Sequence, residues 1–404
     1  MTTVDIDTDR LARVALACLV EPGNRELGML VRKVGPSEAL ARVRGGGVSA
    51  RLRDAALLRL SADGQRVDPR QLAEGALARA ERLGARIVTP DDDEWPAQLD
   101  DLVRVSRTGG NGTLDHDTDP PLCVWVRGAP PLDEAFARAV AIVGARASTP
   151  YGNLVASELA YGLADRGWTV VSGGAFGIDA ATHRAAMSAD GLTAAVLACG
   201  VDRPYPVGHT SLFERIVEEG LLISEWPPGA APHRHRFLIR NRVIAAVTRG
   251  TVVVEAATRS GARQTLGRAR LLGRAAMVVP GPVTSALSAG CHEELRRLGT
   301  RLVTTVAEVL EEVGRIGDDL APGPLPTVRP HDRLDPLAQQ VLDAVLPRRA
   351  RTAEQIAAAA GVTAQEARRT LPFLVSGGFV VTREDGYRLA PATGSAPNEP
   401  MVVN

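Results

Sequence analysis

Between Val140 and Thr305 the chain repeats one pattern seven times: a short run of apolar, β-favouring residues, a turn bearing glycine or proline, and then a helical spacing. The runs are Val140 to Val143, Trp168 to Val171, Ala194 to Leu197, Leu221 to Ile223, Thr251 to Val254, Ala276 to Val279 and Arg301 to Val303. They are nearly continuous in Val, Ile, Leu and Ala, which suits strands buried on both faces. Such alternation predicts an α/β fold with a parallel sheet covered by helices on each side. In open sheets of this kind ligands bind where the strands' carboxyl ends lead into helix N-termini.

The flanks follow other patterns. Residues 1–83 show helical spacing, with breaks at Glu21-Pro22-Gly23-Asn24, Gly35-Pro36 and Gly45-Gly46-Gly47. This predicts a small helical module whose glycine turns are either phosphate-binding turns or plain connectors. Residues 84–316 hold the sheet domain, interrupted at 106–121 by a polar, turn-rich stretch expected to be a mobile loop, with His116 solvated rather than a metal ligand. Residues 317–333 form a proline-rich linker. In 334–390, helices are predicted over Asp335 to Leu346, Thr352 to Ala360 and Thr363 to Val375. A hairpin is predicted over Phe379 to Leu389, turning at Asp385-Gly386. Three helices and a hairpin make a winged helix, and the tail 391–404 is expected to be disordered.

Composition narrows the chemistry. The 404 residues carry 47 basic and 47 acidic side chains, and Lys33 is the sole lysine. No GK[ST] phosphate loop is possible, and a Schiff base would have to rest on Lys33, in an ordinary amphipathic stretch. Cys18, Cys123, Cys199 and Cys291 form no CxxC pair, so neither a metal site nor a disulfide framework is expected. No apolar run approaches the roughly 20 residues that span a bilayer, and Asp5, Asp7 and Asp9 stand where a secretory signal would be basic. A cytoplasmic protein without membrane contact is expected.

The balanced total hides a concentrated region. From Gly229 to Arg274 there are ten arginines and one acid, Glu255, a formal +9 over 46 residues. That is the footprint of a polyanion partner. Within it Arg240-Asn241-Arg242 opens a helical run; the arginines suit phosphates, and Asn241 suits a base edge or a loop brace. Glu255 ends a strand, either as a general base or, favoured by the arginines nearby, as their orienting partner. Ser260-Gly261 opens the next helix.

Two strand-end loops complete the candidate site. Gly144-Ala145-Arg146 lacks the GxGxxG pattern and no acid ends the second strand, which disfavours a dinucleotide; glycine, helix-start amides and Arg146 suit a phosphate. Ser172-Gly173-Gly174-Ala175-Phe176-Gly177-Ile178-Asp179 places small residues whose N–H groups can converge on one anion. Phe176 either stacks on a base or tucks under the sheet, and Asp179 either charges or caps the helix start. Gly200 to Pro206 forms a rigid rim in which Asp202 is placed to hold an arginine, and Cys199 reads as buried filler.

GARASTPYG, SGGAFGID, GVDRPYP, RNR, VVVEA with SGA, and VPGPV, in that order, resemble the DNA processing protein A family, also called DprA or Smf. Asp93 to Leu99 and Pro120 to Gly128 extend the resemblance over about residues 87–313. It implies an extended Rossmann-like domain with a SAM-like helical module before it and a winged helix after it. It also implies a non-enzymatic, homodimeric single-stranded DNA binder that loads RecA recombinase during natural transformation and needs no cofactor. Carried over, the DNA contacts fall on Arg146, on Ser172 to Gly177, and on Arg240 and Arg242. The chain departs from the family's pattern at Gly208-His209 and over Ser260 to Leu266. Pro372 is expected to kink or end the third winged-helix helix, and the near-balanced charge there suits protein contact as readily as DNA.

Two rivals remain. A Rossmann-like phosphoribohydrolase would use Glu255 as acid or base and Arg240 as phosphate clamp, but Pro280-Gly281-Pro282-Val283-Thr284-Ser285 lacks that class's second glycine and glutamate. A transcription regulator would act through the winged helix and prefer duplex.

Overall fold

The computed structural model describes residues 3–62, 65–66, 68–108, 118–314 and 334–390. The chain divides into two units, 1–321 and 322–404. The predicted linker 317–333, the tail 391–404, and His116 with most of the predicted loop lie outside the described residues.

The first unit begins with helices α1 (Thr3–Leu19), α2 (Arg25–Val34), α3 (Pro36–Gly45), α4 (Ala50–Leu60) and α5 (Pro69–Arg82), with short strands β1 (Ser61–Ala62) and β2 (Gln65–Arg66) between the last two. The sequence breaks are helix ends. Asn24 caps α2 by accepting the Leu27 N–H, and Gly46 closes α3 in the left-handed conformation. Leu16, Leu19, Leu27, Leu40 and Leu52 form a core that continues into Ile87, Cys123, Trp125 and Val201 of the sheet region.

Strands β3 (Arg86–Val88), β4 (Val124–Arg127), β5 (Ala139–Val143), β6 (Thr169–Ser172), β7 (Thr193–Leu197), β8 (Leu221–Ser224), β9 (Gly250–Val253), β10 (Ala275–Val278) and β11 (Thr300–Leu302) form one sheet. Its order is β11-β10-β9-β5-β6-β7-β8-β4-β3. The seven runs read from sequence are the seven parallel strands, each within one residue at either end. The sequence pattern missed β3 and β4, which are antiparallel to their neighbours and extend the sheet beyond β8. Along β5, Ala139, Ala141 and Val143 enter one core while Val140 and Ile142 enter the other, as a strand covered on both faces requires.

Helices α6 (Leu102–Thr108) and α7 (Leu132–Ala137) precede β5. Then α8 (Pro150–Ala164), α9 (Ile178–Ser188), α10 (Thr210–Glu219), α11 (Arg234–Ala246), α12 (Gly261–Leu271), α13 (Ala289–Leu295) and α14 (Val306–Val313) alternate with the strands. Helix α6 takes the first residues of the expected loop. At its far end Thr118 and Asp119 are buried, and Asp119 is paired to Arg32 at 2.6 Å. From β5 the chain adds strands in one direction through β8 and then returns to lay β9 on β5's other side. The switch point therefore lies between β5 and β9.

The second unit contains α15 (Pro336–Asp343), α16 (Ala353–Ala360), α17 (Ala364–Ser376) and the hairpin β12 (Val380–Arg383) and β13 (Gly386–Leu389). Capping boxes start α16 and α17, pairing Thr352 with Gln355 and Thr363 with Glu366. Of the two outcomes expected at Pro372, a kink or an end, the helix does not end: α17 runs through it to Ser376. The proline removes one backbone donor, but Leu371 and Leu374 beside it are fully buried, and that packing carries the helix across.

Candidate nucleic-acid interface

At the switch point the loops after β5, β6 and β9 and the first half of α11 enclose a cleft of about 780 Å³. Gly144 and Arg146 come from the first loop, Ala175 and Asp179 from the second, and Arg259, Ser260 and Gly261 from the third; α11 adds Arg234, Phe237, Arg240 and Asn241.

The two glycine-bearing loops are locked to each other. Ile178 donates its N–H to the Ala145 carbonyl at 3.2 Å. Gly177 has φ +75°, and any Cβ there would overlap the carbonyls of Ala145 and Arg146, so glycine is required twice over. Gly144 likewise faces the Ile178 side chain closely.

The expected anion nest is already filled. Asp179 Oδ2 accepts the N–H groups of Gly173 (3.2 Å) and Ala175 (3.3 Å), so these donors turn toward the protein's own carboxylate rather than toward a bound phosphate. Ser172 is also withdrawn, its Oγ donating to the Ile142 carbonyl at 2.7 Å in a fully buried position.

Arg240 lies on the cleft floor at 5% exposure. Its guanidinium donates to the carbonyls of Gly173 (2.9 Å) and Val196, and its Nε to Asn241 Oδ1 at 3.1 Å. Burial pushes its pKa down to about 10 against the upward pull of Asp179, while burial pushes the Asp179 carboxyl up against the pull of Arg240. The two side chains thus stabilise each other's charge beneath the cleft. Asn241 Nδ2 donates to the Gly261 carbonyl at 3.3 Å, bracing the third loop.

Arg242 is not at the surface. It is enclosed and paired through Nη1 and Nη2 with Glu225, so its guanidinium is turned into the protein rather than toward the cleft. Glu255 orients no arginine among the described residues: its carboxylate accepts from Thr149 N at 2.9 Å and Thr149 Oγ1 at 2.6 Å and so fixes the start of α8. Asp202 accepts the Gly229 N–H at 2.7 Å, holding backbone more closely than it holds Arg203, 4.0 Å away. Ser260 caps α12 through the Ala262 N–H. Cys199 donates to the Arg203 carbonyl, and burial raises its pKa to about 11, consistent with filler.

Phe176 is 49% exposed, with Gly174 and Gly177 on either side of it in the loop. It sits edge-on to the buried His209 at 4.4 Å and faces a groove along α8 and α9, not the cleft itself. The aromatics lining the cleft are Phe237 and Tyr205. At Phe237 the ring is covered. The Arg146 guanidinium lies 5.1 Å over its ring, and Tyr205 meets it edge-on at 5.9 Å.

The exposed cations lining the cleft are Arg146, Arg234 and Arg259, none of them in an ion pair among the described residues. Arg234 and Arg259 were counted in the basic stretch but not singled out. The RNR motif holds inward-facing residues; along α11 the helical phase separates Arg234 from them, and Arg259 stands in the loop after β9.

A switch-point cleft of an open α/β sheet, rimmed by exposed arginines and floored by the buried Arg240 and Asp179, places the chain in the doubly wound α/β class. A family model described as "DNA recombination-mediator protein A" matches residues 86–314, and the chain belongs to that family. It is 44% identical over 390 residues to a putative DNA processing protein DprA of Mycobacterium tuberculosis, covering 96% of each chain. Among solved structures it resembles DNA processing protein A of Streptococcus pneumoniae at TM-score 0.59 and 28% identity, covering 76% of this chain and 98% of that one. The Helicobacter pylori protein, whose structure is described in terms of its single-stranded DNA binding mode, aligns at TM-score 0.47 and 25% identity over 56% of this chain and 94% of that one. No helix among the described residues is long and apolar enough to cross a membrane.

Proposed function

We propose that this chain is a non-enzymatic recombination mediator that binds single-stranded DNA across the switch-point cleft, acts as a homodimer in the cytoplasm, and loads RecA onto strands taken up in natural transformation. The observation that carries the reading is the placement of Arg146, Arg234 and Arg259 around Phe237 and Tyr205, with Asp179, the acid lining the cleft among the described residues, already committed to backbone donors. Cations over aromatic faces suit phosphates and stacked bases of any sequence. Gly144, Ser260 and Gly261 shape the rim, and Phe176 offers a stacking face beyond it. On this reading the five N-terminal helices are a SAM-like module, and the second unit is a winged helix available to protein or DNA.

The phosphoribohydrolase reading is not favoured, because Glu255 is 2% exposed and both its oxygens are engaged by Thr149, which turns the carboxylate into the start of α8 rather than toward a substrate. The deciding experiment is a salt-titrated binding assay on single strands and duplex, with and without RecA. Affinity for single strands should fall with a log–log slope of about −0.7 for each phosphate neutralised. A flat response, or a preference for one duplex sequence, overturns the proposal.

A further inference from the structure

The first turn of α11 carries Arg234 and Phe237, yet His233 at its N-cap provides no side-chain hydrogen bond to the helix start. The turn is held instead from the N-terminal helices. Glu21, in the break between α1 and α2, accepts from Arg236 Nη2 at 2.6 Å, from Arg236 Nε at 3.1 Å and from Trp226 Nε1 at 2.9 Å. Arg236 is largely buried; it also donates to the Ala231 carbonyl at 2.7 Å and lies 5.6 Å over the Trp226 ring. A second grip comes from α5, where Arg79 donates to the Pro228 carbonyl at 2.8 Å. Further along α11, Arg240 and Arg242 are fastened within the sheet domain itself. The first turn of α11 is thus tied to the N-terminal helices through Glu21 and Arg236, whereas the next turn is held within the sheet domain, where the Leu238 carbonyl accepts from Arg268 and Arg240 donates to Gly173.

We infer that Glu21 is a positioning residue for nucleic-acid binding. The N-terminal helices set the first turn of α11 through the Glu21–Arg236–Trp226 cluster, and so place Arg234, Phe237 and, through its seat on the Phe237 ring, Arg146. This rests on the single-strand reading above. Glu21 touches no ligand, and its effect passes through Arg236.

The test uses the full chain, a labelled oligo-dT single strand as probe, and Glu21→Ala with Glu21→Gln and Glu21→Asp beside it. Glu21→Ala should weaken binding about 3- to 30-fold, the range for couplings transmitted through packed elements. The log–log salt slope should stay at its parental value, because no phosphate contact is removed. Glu21→Gln, which keeps an acceptor, should fall between parent and Ala. Amides of residues 234–238 should exchange faster in Glu21→Ala without DNA. On a Phe237→Ala background the further loss from Glu21→Ala should shrink, since both changes act on the same turn. If Glu21→Ala does not fold, Glu21→Gln and Glu21→Asp carry the same comparisons. Unchanged affinity and exchange in a folded variant overturn the inference while leaving the single-strand reading intact; a parent chain that does not bind the probe overturns both.

Discussion

Arg242 and Glu225 meet end to end, with Nη1 2.8 Å from Oε2 and Nη2 2.7 Å from Oε1, and their side chains are 0% and 4% exposed. The pair joins the loop after β8 to α11, and its two members are of use only together. Arg242→Ala strands a buried carboxylate and should destabilise the chain by about 3–5 kcal/mol, read as a lower denaturation midpoint. Replacing both with apolar residues of similar volume, Arg242→Met with Glu225→Leu, should recover most of that stability. Recovery by the double variant would mark the pair as structural; single-strand affinity of that variant should match the parent.

The exposed arginines should behave differently. Arg146→Ala, Arg234→Ala and Arg259→Ala should each leave the melting temperature nearly unchanged, as surface changes usually do. Each should reduce the magnitude of the log–log salt slope by about 0.7 if one phosphate contact is lost. Salt-titrated anisotropy of the three single variants checks this, and a parental slope in all three would move the site elsewhere.

This division also shows what the sequence could reveal. The seven parallel strands were legible because burial on both faces leaves continuous apolar runs with little local ambiguity. Strands β3 and β4 were not, since Arg86-Ile-Val and Val-Trp-Val-Arg127 are short and their pairing is set by distant partners. The strand-end loops were found at the right ends of the right strands. Their chemistry was harder, because Asp179 lies within six residues of the donors it satisfies, and nothing in the order of residues says whether a nest faces inward or outward. Arg240, Arg242 and Arg234 look alike in a string and differ only in which side of α11 they leave.

The filled nest gives its own test. Asp179→Ala removes the acceptor for the Gly173 and Ala175 N–H groups and the carboxylate that supports Arg240. A buried donor left unpaired costs about 1–3 kcal/mol, so a loss of at least that size is expected on chemical denaturation. Gly173→Ala should act on the same cluster from the other side, because a Cβ at Gly173 would overlap the Arg240 guanidinium. Faster amide exchange across 172–178 in both variants would tie them to one unit.

His183 should make the fold sensitive to acid. It is fully buried on α9, with Nδ1 2.8 Å from Thr193 Oγ1, and that hydroxyl donates onward to the Val170 carbonyl at 2.8 Å. The threonine proton is thus spent, so His183 Nδ1 must carry a hydrogen, and Nε2 is left bare with no partner among the described residues. Protonating Nε2 would bury a charged donor that has no acceptor, and burial accordingly lowers the His183 pKa from 6.5 to about 3, assisted by His209, Arg240 and Arg184. The sign follows from the folded value lying below the unfolded one. Above pH 6.5 both states are neutral and the histidine makes no difference to stability with pH. Below it the unfolded chain takes up a proton that the folded chain refuses, and stability drops by about 1.4 kcal/mol per pH unit until the folded pKa near 3 is reached. His183→Gln, which keeps a donor toward Thr193 but does not titrate, should flatten that part of the curve. Denaturant melts of parent and variant at pH 7.5, 6, 5 and 4 measure the difference, and parallel curves would remove His183 as the cause.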